Sequence, residues 1–261
     1  MLKPAEPDIP YIPTMKTLLA LSLTLSLFIA CDSASNQVES LAKATVALPC
    51  EPNLDWANLN KFAQLNDSIL TMAAPSEPRV VFMGNSITEG WAYHYPQFFA
   101  AHPNWVNRGI SGQTTPQMLI RFRPDVLALK PAAVVILAGI NDIANNTGPM
   151  TLEETFGNIK SMAQLAGANG IKVVISSVLP AYDFPWRPGM EPAPKVVKLN
   201  AMLKGFAEAE GHTYLDYFSA MADDRPGLKE GLHEDEVHPN AKGYGIMAPM
   251  TEAAVVAALE D

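Results

Sequence analysis

Short apolar runs alternate with amphipathic stretches along this chain, and that alternation constrains its fold most. Lys172 to Leu179 is a strand-like stretch, and Arg79-Val80-Val81-Phe82-Met83 and Ala132 to Ala138 are almost unbroken runs of apolar residues. A strand reads this way when both of its faces are covered. Trp105-Val106-Asn107 is a further short strand, near a sheet edge, and Thr213 to Tyr217 is the last. Between them, Asp55 to Met72, Pro116 to Leu129, Thr151 to Ala168, Pro194 to Glu210 and Asn240 to Leu259 read as helices. In the first of these, Trp56, Leu59, Phe62, Ala63, Leu65, Ile69 and Leu70 recur at helical spacing. Thr151 suits an N-cap, with Glu153 and Glu154 in the first turn, and Pro239 suits the first turn of the last helix. Strands separated by helices imply a parallel sheet with helices on both faces. Ligands in such folds sit outside the carboxyl ends of the strands.

With 261 residues, 48% of them apolar and 17% charged, the chain has enough apolar material for a sizeable core. The net charge is −9 and no basic patch stands out, which argues against a nucleic-acid partner. The acidity reads as a solubility feature. Cys31 and Cys50 are the only cysteines, so a disulfide scaffold and a cysteine-rich metal site are both excluded.

Residues 1–30 read as a leader and signal peptide. Met15-Lys16 opens a cationic region, and Leu18 to Ala30 is a mostly apolar stretch too short to span a membrane. Phe28-Ile29-Ala30-Cys31 resembles a bacterial lipobox. That resemblance implies cleavage before Cys31, its lipidation, and a tether to a bacterial membrane. Asp32 resembles an inner-membrane retention signal. The expected location is exported and periplasmic, lipid-anchored. The alternative is an ordinary secreted protein cut near Ala34. Residues 1–14, with Pro4, Pro7, Pro10 and Pro13, suit either a polyproline segment or a start codon upstream of the true one. Residues 31–53 read as a tether, and 54–261 as the globular domain.

Four segments carry residue types that acyl transfer needs: Gly84-Asn85-Ser86-Ile87-Thr88, Asn107-Arg108-Gly109, Gly139-Ile140-Asn141-Asp142 and Asp235-Glu236-Val237-His238-Pro239. Ser86 follows the first buried run and offers a hydroxyl, which needs a base to become a nucleophile. His238 is the candidate base, and Asp235, three residues before it, can reach the ring and fix its tautomer. The oxyanion formed on attack needs donors already in place. The backbone N–H groups of Ser86 and Gly109 and the side-chain amide of Asn141 are the candidates.

Each residue also has a plain structural reading. Gly109 suits a simple turn, Asn141-Asp142 an Asx-turn or helix cap, and Glu234-Asp235-Glu236 a solvated loop. His233 is a rival imidazole that spacing alone does not dismiss, whereas His94, His102 and His212 read as surface or packing residues. Taken singly most of these readings prevail; jointly they require four coincidences in order.

The four segments resemble the four blocks of the GDSL or SGNH hydrolase family. Ser86 matches its nucleophile, Gly109 and Asn141 its oxyanion donors, and Asp235 and His238 its Asp-x-x-His pair, which selects His238 over His233. The resemblance spans about residues 79 to 250. It implies a flavodoxin-like three-layer α/β/α sandwich with a central parallel sheet of about five strands. It also implies no metal and no organic cofactor. The branch resembled is that of platelet-activating-factor acetylhydrolases and bacterial acyl or carbohydrate-acetyl esterases. Two positions depart from the pattern: Asn85 stands where an Asp is usual, and Glu236 where a Gly is often found. The second Gly of a Gly-x-Ser-x-Gly elbow is absent, since Thr88 takes its place.

The expected substrate is a small-molecule, carbohydrate or lipid ester with a short acyl group, met by an aromatic wall of Trp91, Tyr93 and Tyr95 and by Trp186 in the Pro-rich stretch Ala181 to Pro194, which reads equally as a substrate-binding loop and as a packed surface loop. Three functions fit the residues: a serine esterase, an acyltransferase using the same triad on a sugar or lipid alcohol, and a catalytically dead tethered binding protein.

Overall fold

The computed structural model describes residues 54–72 and 77–260. The leader, the tether and Cys31 lie outside them. Asn53–Asp261 forms one compact unit. Its centre is a five-stranded parallel sheet in the order β2-β1-β3-β4-β5, built from β1 (Val80–Gly84), β2 (Trp105–Gly109), β3 (Ala133–Leu137), β4 (Lys172–Ser176) and β5 (Thr213–Leu215). Every residue of β1 and β3 is buried, as unbroken apolar runs require of central strands. Burying one Val, Ile or Phe side chain stabilises the fold by about 1.5–3 kcal/mol.

Helices connect the strands. α1 (Ala63–Thr71) precedes the sheet; α2 (Ser86–His94) and α3 (Gln97–Ala101) join β1 to β2; α4 (Thr115–Asp125) and a single 3₁₀ turn (Leu127–Leu129) join β2 to β3. α5 (Ile140–Ile143) and α6 (Leu152–Ala168) follow β3, α7 (Pro192–Glu210) follows β4, and α8 (Tyr217–Met221) and α9 (Ala241–Glu260) follow β5. α2 and α9 pack on one face, and α4, α6 and α7 on the other. This is the three-layer α/β/α sandwich with flavodoxin-type strand order. Its topological switch point lies between β1 and β3, where the chain leaves the sheet in opposite directions.

Local chemistry explains several element ends. Thr151 Oγ1 accepts the Glu154 amide at 3.1 Å while the Glu154 carboxylate accepts the Thr151 amide at 2.8 Å, a reciprocal cap that starts α6. The first helix is shorter than its periodicity predicts. The Asp55 carboxylate takes the amides of Leu59 and Asn60, so residues 55–62 are turns, and Trp56 and Leu59 stay partly exposed. Pro239 lies just before α9 rather than in its first turn, because Asn240 Oδ1 accepts the amides of Lys242 and Gly243.

Candidate active site

Ser86 is the first residue of α2, directly after β1. Asn85 occupies the cap position, and its Oδ1 accepts the Ile87 amide at 3.0 Å. An Asn therefore makes the turn that an Asp makes elsewhere, without a buried charge. The helix directs its N-terminal amides and its positive end at the Ser86 side chain.

Ser86 Oγ lies 2.9 Å from His238 Nε2, and His238 Nδ1 lies 2.8 Å from Asp235 Oδ2. The carboxylate holds the ring proton on Nδ1, which leaves the Nε2 lone pair facing the hydroxyl. Asp235 Oδ1 also accepts the amides of Val237 and His238, at 3.1 and 2.8 Å. Burial pushes the Asp235 carboxyl up, but the His238 amide and ring and the Val237 amide outweigh it. The net effect holds it below the ordinary carboxylate value. The carboxylate is thus ionised whenever the imidazole is in use.

Asn141 sits in α5, the single turn that follows β3. One hydrogen of its Nδ2 group bonds to Gln113 O at 3.0 Å, which orients the amide and leaves its second hydrogen free. Asp142 has a different task. Its carboxylate accepts the amide and hydroxyl of Thr115 and so caps α4, and burial raises its pKa. The helix-cap reading thus fits Asp142, which caps a helix distant in the chain and makes no Asx-turn among the described residues.

Gly109 does not fit the role expected of it. Its N–H already donates to Asn107 Oδ1 at 2.8 Å. A Cβ at this position would stand 2.1 Å from Glu89 N, so the residue is a glycine because α2 crosses directly over β2. Gly112, three residues on, has the features sequence reasoning assigned to Gly109. Its φ is +76°, open space surrounds its Cβ position, and its N–H has no acceptor among the described residues. It adjoins Gln113, the residue that orients Asn141. The sequence signal was present in the second glycine of Gly109-Ile110-Ser111-Gly112.

A layer of residues that the sequence reading passed over holds this loop. Glu89 Oε2 accepts the Ser111 amide at 2.7 Å, and Gln113 Nε2 donates to Ala57 O at 2.8 Å. Arg121, fully buried, donates to Gly84 O, Gln113 Oε1 and Asp125 Oδ2, tying the end of β1 to the loop that carries Gly112.

The three aromatic candidates part company. Trp91 is 2% exposed, stacked on Phe98 at 4.1 Å and tilted against Tyr244 at 5.0 Å. It belongs to the core and is no substrate wall: five residues after Ser86, the helical turn points it at α9. Tyr93 is 74% exposed and makes no ring contact or hydrogen bond among the described residues. Trp186 is 47% exposed, stacks on the buried Phe184 at 5.2 Å, and lies 6.0 Å from the His238 ring. Arg187 donates to Ala144 O and to Asn145 O, which clamps the Trp186 loop to the turn after α5.

A parallel α/β sandwich with hydroxyl, imidazole and carboxylate in line at its switch point has the equipment of a serine hydrolase. Residues 82–246 match the profile of the GDSL-like Lipase/Acylhydrolase family, and the chain belongs to that family. A GDSL-like lipase of Bacteroides thetaiotaomicron VPI-5482 is 46% identical and superposes with a TM-score of 0.73, over 77% of this chain and 98% of that one. Esterase TesA of Pseudomonas aeruginosa is 31% identical over 134 residues, 51% of this chain and 60% of TesA. The uncharacterized lipoprotein YqeF of Bacillus subtilis is 31% identical over 121 residues, 40% of this chain and 49% of YqeF. The chain thus matches about half to three-fifths of the length of these two curated relatives.

Proposed function

We propose that the protein is a carboxylic ester hydrolase that cleaves short-chain acyl esters, acetyl esters foremost, through an acyl-enzyme on Ser86. The observation that carries this reading is the unbroken line Ser86 Oγ, His238 Nε2, His238 Nδ1, Asp235 Oδ2, with both gaps under 3 Å. His238 takes the Ser86 proton as Oγ attacks the ester carbonyl. The Ser86 N–H, the free hydrogen of Asn141 Nδ2 and the Gly112 N–H receive the oxyanion. His238 then gives its proton to the departing alcohol. In the second half it takes a proton from water as the water oxygen bonds to the acyl carbon, then returns that proton to Ser86 Oγ as the Oγ–acyl bond breaks and the acid leaves.

Two features support the substrate class. Trp186, held rigid by Phe184 and by the Arg187 clamp, offers a flat apolar face beside the imidazole that delivers the leaving-group proton. A sugar ring or another flat alcohol suits that face. Glu234 and Glu236 stand exposed on the loop that carries His238, and their charge disfavours anionic esters. For the location, the lipobox-like Phe28-Ile29-Ala30-Cys31 supports an exported, lipid-anchored protein, and one relative is called a lipoprotein. No helix among the described residues is long and apolar enough to cross a membrane.

The test is a screen of the purified protein against aryl esters of graded acyl length and acetylated sugars, with Ser86→Ala as the control. Turnover that falls with acyl length and vanishes in the variant is expected. Full activity in Ser86→Ala removes the reading. Acyl transfer to an added alcohol that outruns hydrolysis would replace the esterase with an acyltransferase.

A further inference from the structure

The segment that carries Asp235 and His238 lies between α8 and α9, outside regular secondary structure. Something else must hold two side chains to hydrogen-bonding distance there. The loop closes on itself. The Glu234 amide donates to His238 O at 2.8 Å, and His233 pairs with Pro239 in an isolated antiparallel bridge. At its apex Glu236 has φ +69°, in the left-handed region that L side chains enter at a cost. Its peptide needs an anchor to stay there.

That anchor is an imidazole. The Glu236 amide donates to His233 Nδ1 at 2.8 Å. The His233 carbonyl accepts Asn240 Nδ2 at 3.2 Å, and Asn240 Oδ1 caps the first turn of α9. One residue therefore joins the strained apex of the loop to the helix behind it. We propose that His233 is a positioning residue for the Asp235–His238 pair, acting solely as a hydrogen-bond acceptor toward the Glu236 amide. The proposal rests on the esterase reading for its kinetic readout. His233 touches neither Ser86 nor the reacting atoms; it fixes the Asp235–Glu236 peptide, which leads directly into the Val237 and His238 amides that reach Asp235.

The variants His233→Asn and His233→Leu isolate the acceptor. Both branch at Cγ with similar shape, and only Asn places an oxygen where Nδ1 sits. With a short-chain aryl ester, His233→Leu should lower kcat about tenfold or more and leave KM unchanged, the effect of a slightly misplaced catalytic group. His233→Asn should recover most of the loss. The His238 Nδ1 proton, followed by NMR, should shift or exchange faster in the Leu variant and keep its wild-type signal in the Asn variant. Equal kcat in the two variants, or a loss confined to KM, overturns the proposal. Should the Leu variant fail to fold, the Asn variant decides alone: wild-type kcat upholds the role, and a tenfold loss overturns it. A wild-type protein that cleaves no ester sinks the esterase reading instead, and the Nδ1 proton still reports on His233.

Discussion

Ser86 Oγ and His238 Nε2 lie 2.9 Å apart although 152 positions separate the residues in the chain. The sheet accounts for this. Ser86 leaves β1 at its carboxyl end, and His238 stands just before α9, which packs beside α2 on the same face. A second bond holds the two elements in register: Tyr244 of α9 donates its hydroxyl to Ile87 O at 2.7 Å, one residue beyond the nucleophile. In the proposed mechanism hydroxyl and base act as one unit, so their removal should not be additive. Ser86→Ala, His238→Ala and the double variant should each lose nearly all turnover, to about the same residual rate. Single-turnover and steady-state rates on one aryl ester check this. A double variant far slower than either single one would show the two residues acting independently.

The two glycines proposed in turn as oxyanion donors separate by substitution. Gly112→Ala meets open space but a positive φ, so it should fold with a penalty of about 1 kcal/mol and a lowered kcat. Gly109→Ala drives a methyl into the backbone of α2, so it should cost stability first, visible as a lower urea midpoint. Asn141→Ala should lower kcat about 10²- to 10³-fold, the usual loss for one such donor. Unfolding midpoints and kcat, measured side by side on the three variants, distinguish the cases.

The core of this fold is legible in the sequence because β1 and β3 are buried along their whole length, and β4 at every residue but Lys172, so that Val80 to Met83, Ala133 to Leu137 and Val173 to Ile175 are all apolar. The edges are less so. β2 runs on through Arg108 and Gly109, whose burial depends on distant partners: Arg108 donates twice to Asn66 and lies over the Phe62 ring. No local pattern announces that. β5 stops at Leu215 because the Asp216 carboxylate accepts the Ser219 amide and starts α8, so Tyr217 belongs to a helix. The meeting of Ser86, His238 and Asp235 was readable because the proposed chemistry restricts each to a few residue types. Gly109 was misassigned because a glycine serves equally for a free amide and for a close crossing, and spacing does not separate the two. Trp91 was misplaced because nearness in sequence says nothing about which side of α2 a residue faces.

The buried ion pair in α4 carries a stability prediction. Arg121 and Asp125 are shielded from solvent and 3.0 Å apart, and Asp125 also accepts Asn66 Nδ2 at 2.7 Å. Burial lowers the Arg121 pKa, with the Asp125 charge opposing that shift. Asp125→Ala leaves the guanidinium buried without its counter-ion and should cost about 3–5 kcal/mol. Because Arg121 also holds Gly84 O and Gln113, the folded fraction of this variant should show a reduced kcat as well. Urea titration followed by tryptophan fluorescence gives the first quantity, and active-site titration with an organophosphonate normalises the second.

The Asp235 carboxylate should serve stability and activity in separable ways. Asp235 has a folded pKa below its ordinary value of 3.8, so its contribution to stability is fully present above that value. The contribution is lost only as pH falls through the lowered folded pKa. Asp235→Asn separates the two. It keeps an oxygen toward the ring but no charge, and allows the wrong tautomer, so kcat at neutral pH should fall on the order of 10³- to 10⁴-fold. Its melting temperature should also depend less on pH below the ordinary carboxylate value than that of the wild type. Thermal melts across the acidic range and kcat/KM against pH supply both curves. A melting temperature whose dependence on acid pH is the same in Asp235→Asn and the wild type would leave this carboxylate no part in the stability.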